Sequence, residues 1–566
     1  MSWDAGGNLL HCGTSNCARV SGLALWNSSF YTWESNCLSA ESPSDDSAAF
    51  EQAISHGIRF WRRQSAGGAN VKPKRVLVDL LVDHPVYYLG NLILGKYLEL
   101  TRGLKPWALV SSATDQKIIL LARSFGIEQF TFVRDEAAKD VRPEAVQIIA
   151  QLEGLTGHEL RRRVLGLNVN GLPVGDLLYD TYLRETRQVT MHEVDDDLRA
   201  YVALMLNYYA LFDRLLQDEE VGAAVMGHLV YLRFGILARL AAEHGADIYA
   251  RYGGKGMRIQ RRQGVEAASD VMTRIIPGHI DRVLREEGEA AIRTAEETLH
   301  RRMGGSGNEF EYLNEEGYSP ERRKISTQEL GRSMGLDVER PKGLLMLHAF
   351  PDANHFSPGL LFDDFYDWYI QTLEVMRDQP EIDWLVKLHP NLAHYTDDLE
   401  PASRAYAIAR DVAHIHVVPE GLNTASLAQF ADFLITVNGK AGLEFAGCGM
   451  PVILGGRGFF AGNGFSEEPQ TADTYLEAIN RGPQMSQDET QQTRALIAND
   501  LFYRRFIVDC RYLPDTPYSF WKPFDEGAFW RGYVEALGSG GIAEDPLFQA
   551  MGRMHDENSD TFLRPA

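Results

Sequence analysis

The chain is poor in cysteine and has no long hydrophobic run. Only five of its 566 residues are cysteine, which is too few for a disulfide framework and typical of a reducing compartment. No apolar run reaches the roughly 18 residues that a membrane-spanning helix needs. The start MSWDAGGNLLHCG lacks the charged-then-apolar order of a secretion signal. We therefore expect a cytoplasmic protein, and peripheral contact with a membrane stays open.

Positive charge is also in short supply. Lys and Arg number 56 against 78 Asp and Glu, which gives a formal net charge of −22. Because a nucleic-acid surface needs clustered Lys and Arg, we expect no nucleic-acid partner. One small basic cluster lies between Arg59 and Arg75. It is either a membrane-docking spot or an ordinary solvated surface.

Strand and helix patterns alternate in two separate series. The first begins with RVLVDLL (75–81), a β-branched run typical of a buried parallel strand. Residues 195–303 are predicted to be mostly helical, with a strand-helix-strand pass at 227–251. The second series begins at GLLMLHAF (343–350). These patterns predict an α/β fold with two Rossmann-like domains facing across a cleft and a helical insert in the first.

The length requires more than one domain, because 566 residues exceed what a single hydrophobic core supports. The predicted organisation is an N-terminal extension over 1–70, a first Rossmann-like domain over 71–330 and a second over 340–566. A glycine-rich break that ends near Pro341 separates the two domains. The helix predicted at 526–537 is a candidate to cross back to the first domain.

The passage FLITVNGKAGLEFAGCGMPVILGG (433–456) has the pattern strand, tight turn, helix, strand. A helix start exposes unpaired N–H groups and partial positive charge. The amides around Asn438, Gly439 and Lys440 are therefore expected to face an anion such as a phosphate. A plain turn and helix cap at Asn438 and Gly439 is the alternative.

Histidines and carboxylates follow two other strands predicted in the second domain. His389 ends the apolar run VKLH, and it either contacts a ligand or stabilises the strand end. HAFPDANH carries Asp352 and His355 at the carboxyl end of the domain's first strand, where α/β ligand clefts form. Its spacing fits no standard metal-ligand set, so a polar loop that touches a substrate is preferred over a metal site.

The first domain offers the candidates for a catalytic base. Asp83 and His84 follow its first strand and should therefore lie at the cleft rim. Asp83 is the preferred proton acceptor, and Asp176 and Asp180 are rivals that could instead fix helices in place. His228, predicted to lie in another strand, faces either the cleft or the core.

Two further groups are weak metal candidates. The acidic run at 193–197 precedes a predicted helix, so a charged helix start explains it better. Cys12 and Cys17 with His11 lack the second ligand pair of a zinc site. We expect no metal ion at either place.

Five motifs, in this order, resemble the GT-B glycosyltransferases, and more closely the bacterial capsule polysaccharide biosynthesis group that includes Kdo transferases. They are GLPVGDLLYDTYLR (171–184), GHLVYLRFGILARLA (227–241), HAFPDANH (348–355), KLHPN (387–391) and TVNGKAGLEFAGCGMPVILGG (436–456). Each motif is weak alone, but the ordered set is moderately specific. Together with the first strand, the resemblance covers about residues 75–460.

The resemblance implies transfer of a sugar from a nucleotide sugar to a saccharide or glycolipid acceptor, with no essential metal. A CMP-activated ulosonic acid such as Kdo is one candidate donor. The second domain would hold the nucleotide phosphate with His389, Asn438, Gly439 and Lys440, while Glu444 would accept the ribose hydroxyls or else lie on the helix surface. Related sequences often have Ser or Thr in place of Asn438 and Lys440. Partners would include the inner membrane or polysaccharide assembly proteins.

Three other functions stay open. A teichoic-type polyol-phosphate transferase usually carries a basic, membrane-facing surface, which this acidic chain lacks. Nucleotide-sugar 2-epimerases are generally shorter and have no need of the insert at 195–303. A non-catalytic scaffold with this fold would bind no nucleotide.

Overall fold

The computed structural model of the chain describes nine stretches of sequence. They are 44–64, 74–111, 116–133, 142–305, 315–336, 339–390, 392–396, 400–515 and 524–564. Most of the predicted N-terminal extension, with His11, Cys12 and Cys17, lies outside them. All nine belong to one compact unit, Ser42–Ala566. Within these stretches, no helix combines the length and apolar character that crossing a bilayer requires.

The strands are short and form two large sheets and one small hairpin. In chain order they are β1 (Arg75–Leu80), β2 (Lys105–Ser111), β3 (Phe130–Val133), β4 (Asn168–Val169), β5 (Leu172–Pro173), β6 (Val221–Met226), β7 (Asp247–Gly253), β8 (Gly256–Arg262), β9 (Lys342–Met346), β10 (Asp383–Lys387), β11 (Ile415–Val417), β12 (Phe433–Thr436), β13 (Val452–Leu454) and β14 (Val508–Asp509).

Helices cover the faces of both large sheets. In chain order they are α1 (Ser44–Trp61), α2 (Pro85–Arg102), α3 (Gln116–Ser124), α4 (Pro143–Leu152), α5 (Gly157–Leu165), α6 (Gly175–Thr186), α7 (Asp196–Asp218), α8 (Ile236–Glu243), α9 (Gly264–Ala268), α10 (Pro277–Glu287), α11 (Glu289–Met303), α12 (Glu315–Tyr318), α13 (Thr327–Met334), α14 (Phe365–Arg377), α15 (Leu392–Tyr395), α16 (Glu400–Asp411), α17 (Lys440–Gly447), α18 (Ala472–Arg481), α19 (Glu489–Asp500), α20 (Glu526–Leu537) and α21 (Pro546–Asp556).

The first sheet has the strand order β14-β8-β7-β6-β1-β2-β3. The five strands from β7 to β3 are parallel. At one edge β8 pairs antiparallel with β7, and β14 pairs antiparallel with β8. Helix α2 packs closely on β1, where a Cβ on Gly95 would lie 2.6 Å from Val78 Cγ2. The chain leaves β1 for one side of the sheet and later returns to β6 on the other. The carboxyl ends of β1 and β6 therefore flank a topological switch point, where α/β ligand clefts form.

The second sheet has the order β11-β10-β9-β12-β13, and all its pairs are parallel. Its switch point lies between β9 and β12, by the same argument. We call the two sheets, with the helices packed on them, the first lobe and the second lobe. The predicted α/β class with two Rossmann-like sheets is confirmed.

The structure differs from the sequence prediction in the segment after α7. The strand predicted to begin near Gly227 is instead β6, which ends at Met226. The strand was missed because VGAAVM contains glycine and alanine, which have a weak β preference. Helices α10 and α11, predicted as part of a first-domain insert, pack with α19 on the core of the second lobe.

The end of the described chain returns to the first lobe. Strand β14 pairs with β8, and α20 packs along α1, where Trp61 Nε1 donates a hydrogen bond to the Tyr533 hydroxyl at 2.7 Å. The buried core of this lobe runs from Ala49 to Phe562. It is therefore built from both ends of the described sequence.

Candidate functional site

The turn between β12 and α17 leaves the helix start without a side-chain cap. Gly439 is the N-cap residue of α17, in an extended conformation, and as a glycine it has no side chain that could cap the helix. Asn438 is 6% exposed, and its Oδ1 atom has no hydrogen-bond partner among the described residues. Such a helix start offers N–H donors and partial positive charge to an anion.

His348 follows β9 and lies against this turn. Its Nε2 atom is 3.2 Å from Thr436 Oγ1, and a Cβ on Gly439 would lie 3.5 Å from His348 Cε1. Burial, with a smaller effect of His389, lowers the pKa of His348 to about 3. The ring is therefore neutral near pH 7 and forms one wall of the turn.

Cationic side chains lie at the end of the neighbouring strand β10. Burial, and then the charge of Lys387, lowers the pKa of His389 to about 4. Burial, and then Arg322, lowers the pKa of Lys387 to about 8. No ion pair or hydrogen bond joins the Lys387 ammonium to any described residue. A lysine whose ammonium bonds to no described residue, and whose charge is opposed by a nearby arginine, is expected where an anion binds.

The sequence motifs led to His389, to the turn at 438–440 and, through HAFPDANH, to the polar loop that begins at His348. They missed Lys387, although it is the first residue of KLHPN and the last residue of β10. Arg322 precedes α13 and gave no signal. The structure thus brings His348, Lys387 and His389 to the carboxyl edge of the second sheet, at its switch point.

Glu444 lies in a different environment from that expected. It is 2% exposed, so the alternative of a surface carboxylate is wrong. Oε1 accepts hydrogen bonds from Arg302 Nε (2.8 Å) and the Tyr503 hydroxyl, and Oε2 accepts one from the Tyr318 hydroxyl. A ribose hydroxyl that bonded to Glu444 would have to displace one of these donors. The role of Glu444 as a ribose ligand stays a prediction.

Asp352 and His355 both contact the first lobe. The Tyr231 hydroxyl donates to Asp352 Oδ1 at 3.1 Å. His355 Nδ1 lies 2.8 Å from Asp180 Oδ1, and its Nε2 lies 2.9 Å from the Asp363 carbonyl oxygen. Both ring nitrogens of His355 are thus engaged within the protein. Contact of either residue with a donor remains a prediction.

A pair of fully buried aspartates, which no sequence motif indicated, holds the lobes together nearby. Asp363 forms ion pairs with Arg161 (3.0 Å) and Arg162 (2.6 Å) of α5, and its Oδ2 atom lies 2.5 Å from Nδ1 of His158 on the same helix. The adjacent Asp364 accepts hydrogen bonds from the hydroxyls of Tyr179 and Thr190. Because buried charges are stable only when paired, these contacts fix the second lobe against α5 and α6.

The predicted base candidates lie at the carboxyl end of β1, as expected. Asp83 is exposed. His84 Nδ1 accepts a hydrogen bond from Val86 N at 3.3 Å and so caps α2, and burial, with Arg251, lowers its pKa to about 3. Asp83 and His84 remain predictions as catalytic groups. The two other base candidates contact side chains of the protein. Asp176 accepts a hydrogen bond from Arg239, and Asp180 contacts His355.

A second polar group lies at the first switch point, and the sequence motifs pointed to its His228 but not to its Asp79. Asp79 is buried near the end of β1 and accepts hydrogen bonds from the Tyr87 hydroxyl and from Leu81 N. Burial raises the pKa of Asp79 to about 6. His228, just past β6, stacks on Tyr87 at 5.6 Å between ring centroids. Burial, and then Arg251, lowers the pKa of His228 to about 4.

A chain of side chains connects the two switch points. The Arg184 guanidinium lies 4.5 Å from the centroid of the Tyr395 ring. Tyr395 in turn contacts His389 edge to face, with 6.3 Å between ring centroids. Arg184 also lies 3.8 Å from Asp352. The carboxyl edges of the two sheets therefore face each other across this contact.

Two α/β lobes whose parallel sheets meet at their carboxyl edges define a GT-B-like fold. Residues 371–503 match the model of the family described as capsule polysaccharide biosynthesis protein. This part of the chain contains both KLHPN and the passage from β12 to β13, and the resemblance predicted from the motifs is confirmed over it.

Solved structures with this type of fold show low similarity to the chain. KpsC of Thermosulfurimonas dismutans, beta Kdo 2,4 transferase, is 13% identical over 50% of this chain and 80% of that chain, with a TM-score of 0.29. UDP-GlcNAc 2-epimerase from Neisseria meningitidis bound to UDP-GlcNAc is 9% identical over 76% and 99%, with a TM-score of 0.24. Comparison with curated proteins finds no match.

Proposed function

We propose that the protein is a glycosyltransferase of capsule polysaccharide assembly that uses a nucleotide-activated sugar as its donor. One observation carries the proposal. The start of α17 has a glycine as its N-cap, and it lies at the carboxyl edge of the second sheet together with the Asn438 Oδ1 atom and the Lys387 ammonium, neither of which bonds to a described residue. Amide donors with an unneutralised cation are the groups that a nucleotide phosphate requires.

The chemistry assigns a role to each group. Cleavage of the bond between the sugar and the phosphate oxygen places negative charge on that oxygen. The amides around Gly439 and the ammonium groups of Lys387 and Lys440 would stabilise this charge, because fixed donors and cations need little reorganisation when charge develops. Neutral His348 and His389 would contribute hydrogen bonds to the same phosphate. In this proposal the protein's own cations do the work that a metal ion does elsewhere.

The acceptor would enter from the first lobe. The carboxyl ends of β1 and β6 face the proposed phosphate site across the Arg184–Tyr395 contact. An acceptor hydroxyl placed between the lobes would therefore approach the sugar from the side opposite the phosphate. The donor that we consider first is a CMP-activated ulosonic acid such as Kdo, and a saccharide or glycolipid is the proposed acceptor.

A thermal-shift screen with CMP, CDP, UDP, GDP and dTDP tests the nucleotide site, because a ligand of the native state raises the melting temperature with concentration. Stabilisation by CMP supports the ulosonic-acid donor, and stabilisation by UDP or GDP indicates a hexose donor instead. No response to any nucleotide contradicts the proposal. Conversion of a UDP-sugar without an acceptor would identify an epimerase.

A further inference from the structure

Glu185 lies on α6 one turn after Thr181, which contacts the segment that follows β6. On α6, Thr181 Oγ1 accepts a hydrogen bond from Leu232 N at 2.9 Å, so this face of the helix packs on the π-helical turn Tyr231–Gly235. Residues four apart share a helix face. Glu185 therefore lies over the segment that follows β6, at the first switch point.

The Glu185 carboxylate has charged neighbours, but one of its oxygens has no hydrogen-bond partner among the described residues. Its Oε1 atom is buried and accepts no hydrogen bond from any described residue. Arg184 on its own helix and Arg233 of the π-helical turn are the cations that act on it, and Arg233 also acts on Asp79 and donates to the Tyr208 hydroxyl of α7. Burial outweighs both cations and raises the pKa of Glu185 to about 7.

The backbone beside Glu185 is strained. Tyr231 has φ of +64°, in the left-handed region that aromatic residues avoid. It begins the π-helical turn, a distortion that is frequent at functional sites. The strained conformation directs the Tyr231 hydroxyl to Asp352 of the second lobe. Strain of this kind persists where the surrounding structure and its function require it.

Arg184, the residue before Glu185, reaches toward the proposed phosphate site. The neighbouring Arg184 spans to Tyr395, and Tyr395 contacts His389. Two side chains thus connect the Glu185 position with the group at the end of β10. A buried carboxylate oxygen that lacks a donor among the described residues, close to the first switch point, suits a group that takes a proton from a substrate.

We propose that Glu185 is the proton acceptor for the acceptor hydroxyl, an inference that rests on the proposed transferase function. The acceptor O–H bond breaks and its proton passes to the Glu185 carboxylate, while the acceptor oxygen bonds to the anomeric carbon. The bond from that carbon to the phosphate oxygen breaks, and its electron pair leaves with the nucleotide. Arg184 and Arg233 are positioning residues that act on the carboxylate through their charges.

The test compares Glu185→Gln with the matched surface variant Glu243→Gln, using the intact chain and the donor identified by the nucleotide screen. General-base catalysis contributes roughly 10²- to 10⁴-fold. We expect Glu185→Gln to lose that factor in kcat, to keep the nucleotide-induced thermal shift and to lose the limb of the pH profile near 7. Glu185→Asp should recover part of kcat, and Glu243→Gln should match the wild type.

The outcomes separate this inference from the proposed function. Wild-type kcat and an unchanged pH profile in Glu185→Gln overturn the role of Glu185 and leave the transferase proposal standing. Absence of nucleotide-dependent transfer in the wild-type protein overturns both. Infrared difference spectra give a readout without turnover: a carboxyl band that titrates near pH 7 in the wild type should vanish in Glu185→Gln, and its persistence contradicts the assignment.

Discussion

The guanidinium of Arg184 lies over the ring of Tyr395, and this contact joins α6 of the first lobe to the short helix that follows KLHPN in the second. A cation over an aromatic face contributes about 0.5–2 kcal/mol. The pair sits between the proposed phosphate site and Glu185. Its loss should therefore affect how the two lobes position their substrates more than how each lobe folds.

Replacement of Arg184 by Met should lower kcat/KM by about 2- to 30-fold, the factor that corresponds to loss of this interaction. The melting temperature should change little, because each lobe keeps its own core. Steady-state kinetics with the identified donor check this. Arg123→Met, which removes a cation–π contact with Phe130 at the far side of the first sheet, should leave kcat/KM unchanged. Equal effects of the two variants would contradict the positioning role.

Replacement of Lys387 by Met should separate binding from stability. Loss of a charge-assisted hydrogen bond to phosphate should weaken nucleotide binding by about 1.5–3 kcal/mol. The free energy of unfolding without ligand should stay constant or rise, because a half-buried, unpaired charge is removed. Calorimetric titration and urea unfolding measure the two quantities. The control is Lys105→Met, at an exposed residue that begins β2 at the amino end of the first sheet. It should change neither the nucleotide affinity nor the free energy of unfolding.

Replacement of Lys440 by Ala tests the helix start itself. We expect weaker nucleotide binding, again by about 1.5–3 kcal/mol, since Lys440 begins α17 beside the proposed phosphate. Isothermal titration with the responding nucleotide is the measurement. An affinity equal to that of the wild type would remove Lys440 from the site without affecting the assignment of Lys387.

Acid should destabilise the protein through His348. Its folded-state pKa, lowered by burial to about 3, lies below the unfolded value, so only the unfolded state gains a proton as pH falls below about 6.5. This histidine should therefore remove about 1.4 kcal/mol of stability per pH unit between about pH 6 and pH 4. Urea unfolding at several pH values should show a shallower slope for His348→Gln. Identical slopes would contradict the neutral, buried ring.

Glu185 should show the opposite dependence. Its folded-state pKa of about 7 lies above the unfolded value, so its contribution to stability is present below about pH 4.5 and is lost as pH rises through 7. Relative to the wild type, Glu185→Gln should gain up to about 3 kcal/mol of stability between pH 5 and pH 8. A difference that does not vary with pH would place the carboxylate in solvent.

The sequence predicted the parts of the fold in which local pattern and burial agree. RVLVDL became β1 because its β-branched side chains suit a strand buried on both faces. The helix predicted at 526–537 was found with the same bounds. Strand β6 was missed because its alanines have no such preference. The strand was predicted to begin at residue 227 instead, so His228 was placed inside a strand, whereas it follows β6.

The candidate site was predictable only where it lies in a motif. The turn at Asn438 and Gly439 could be found because strand, turn and helix are contiguous there. Glu185 lies one residue past the motif that ends at Arg184, and its environment depends on Arg233, 48 positions away in sequence. The burial of Asp363 and Asp364 depends on α5 and α6, about 200 residues earlier, and no local pattern records such contacts.

The pairing of β14 with β8 has a consequence for synthesis of the chain. As the polypeptide leaves the ribosome, β8 emerges some 245 residues before β14, so the edge of the first sheet stays open while the whole second sheet is made. An open strand edge is a template for mispairing with other chains. A nascent chain released after α19 should accordingly aggregate or recruit chaperones, and the first lobe should close only when the last helices arrive.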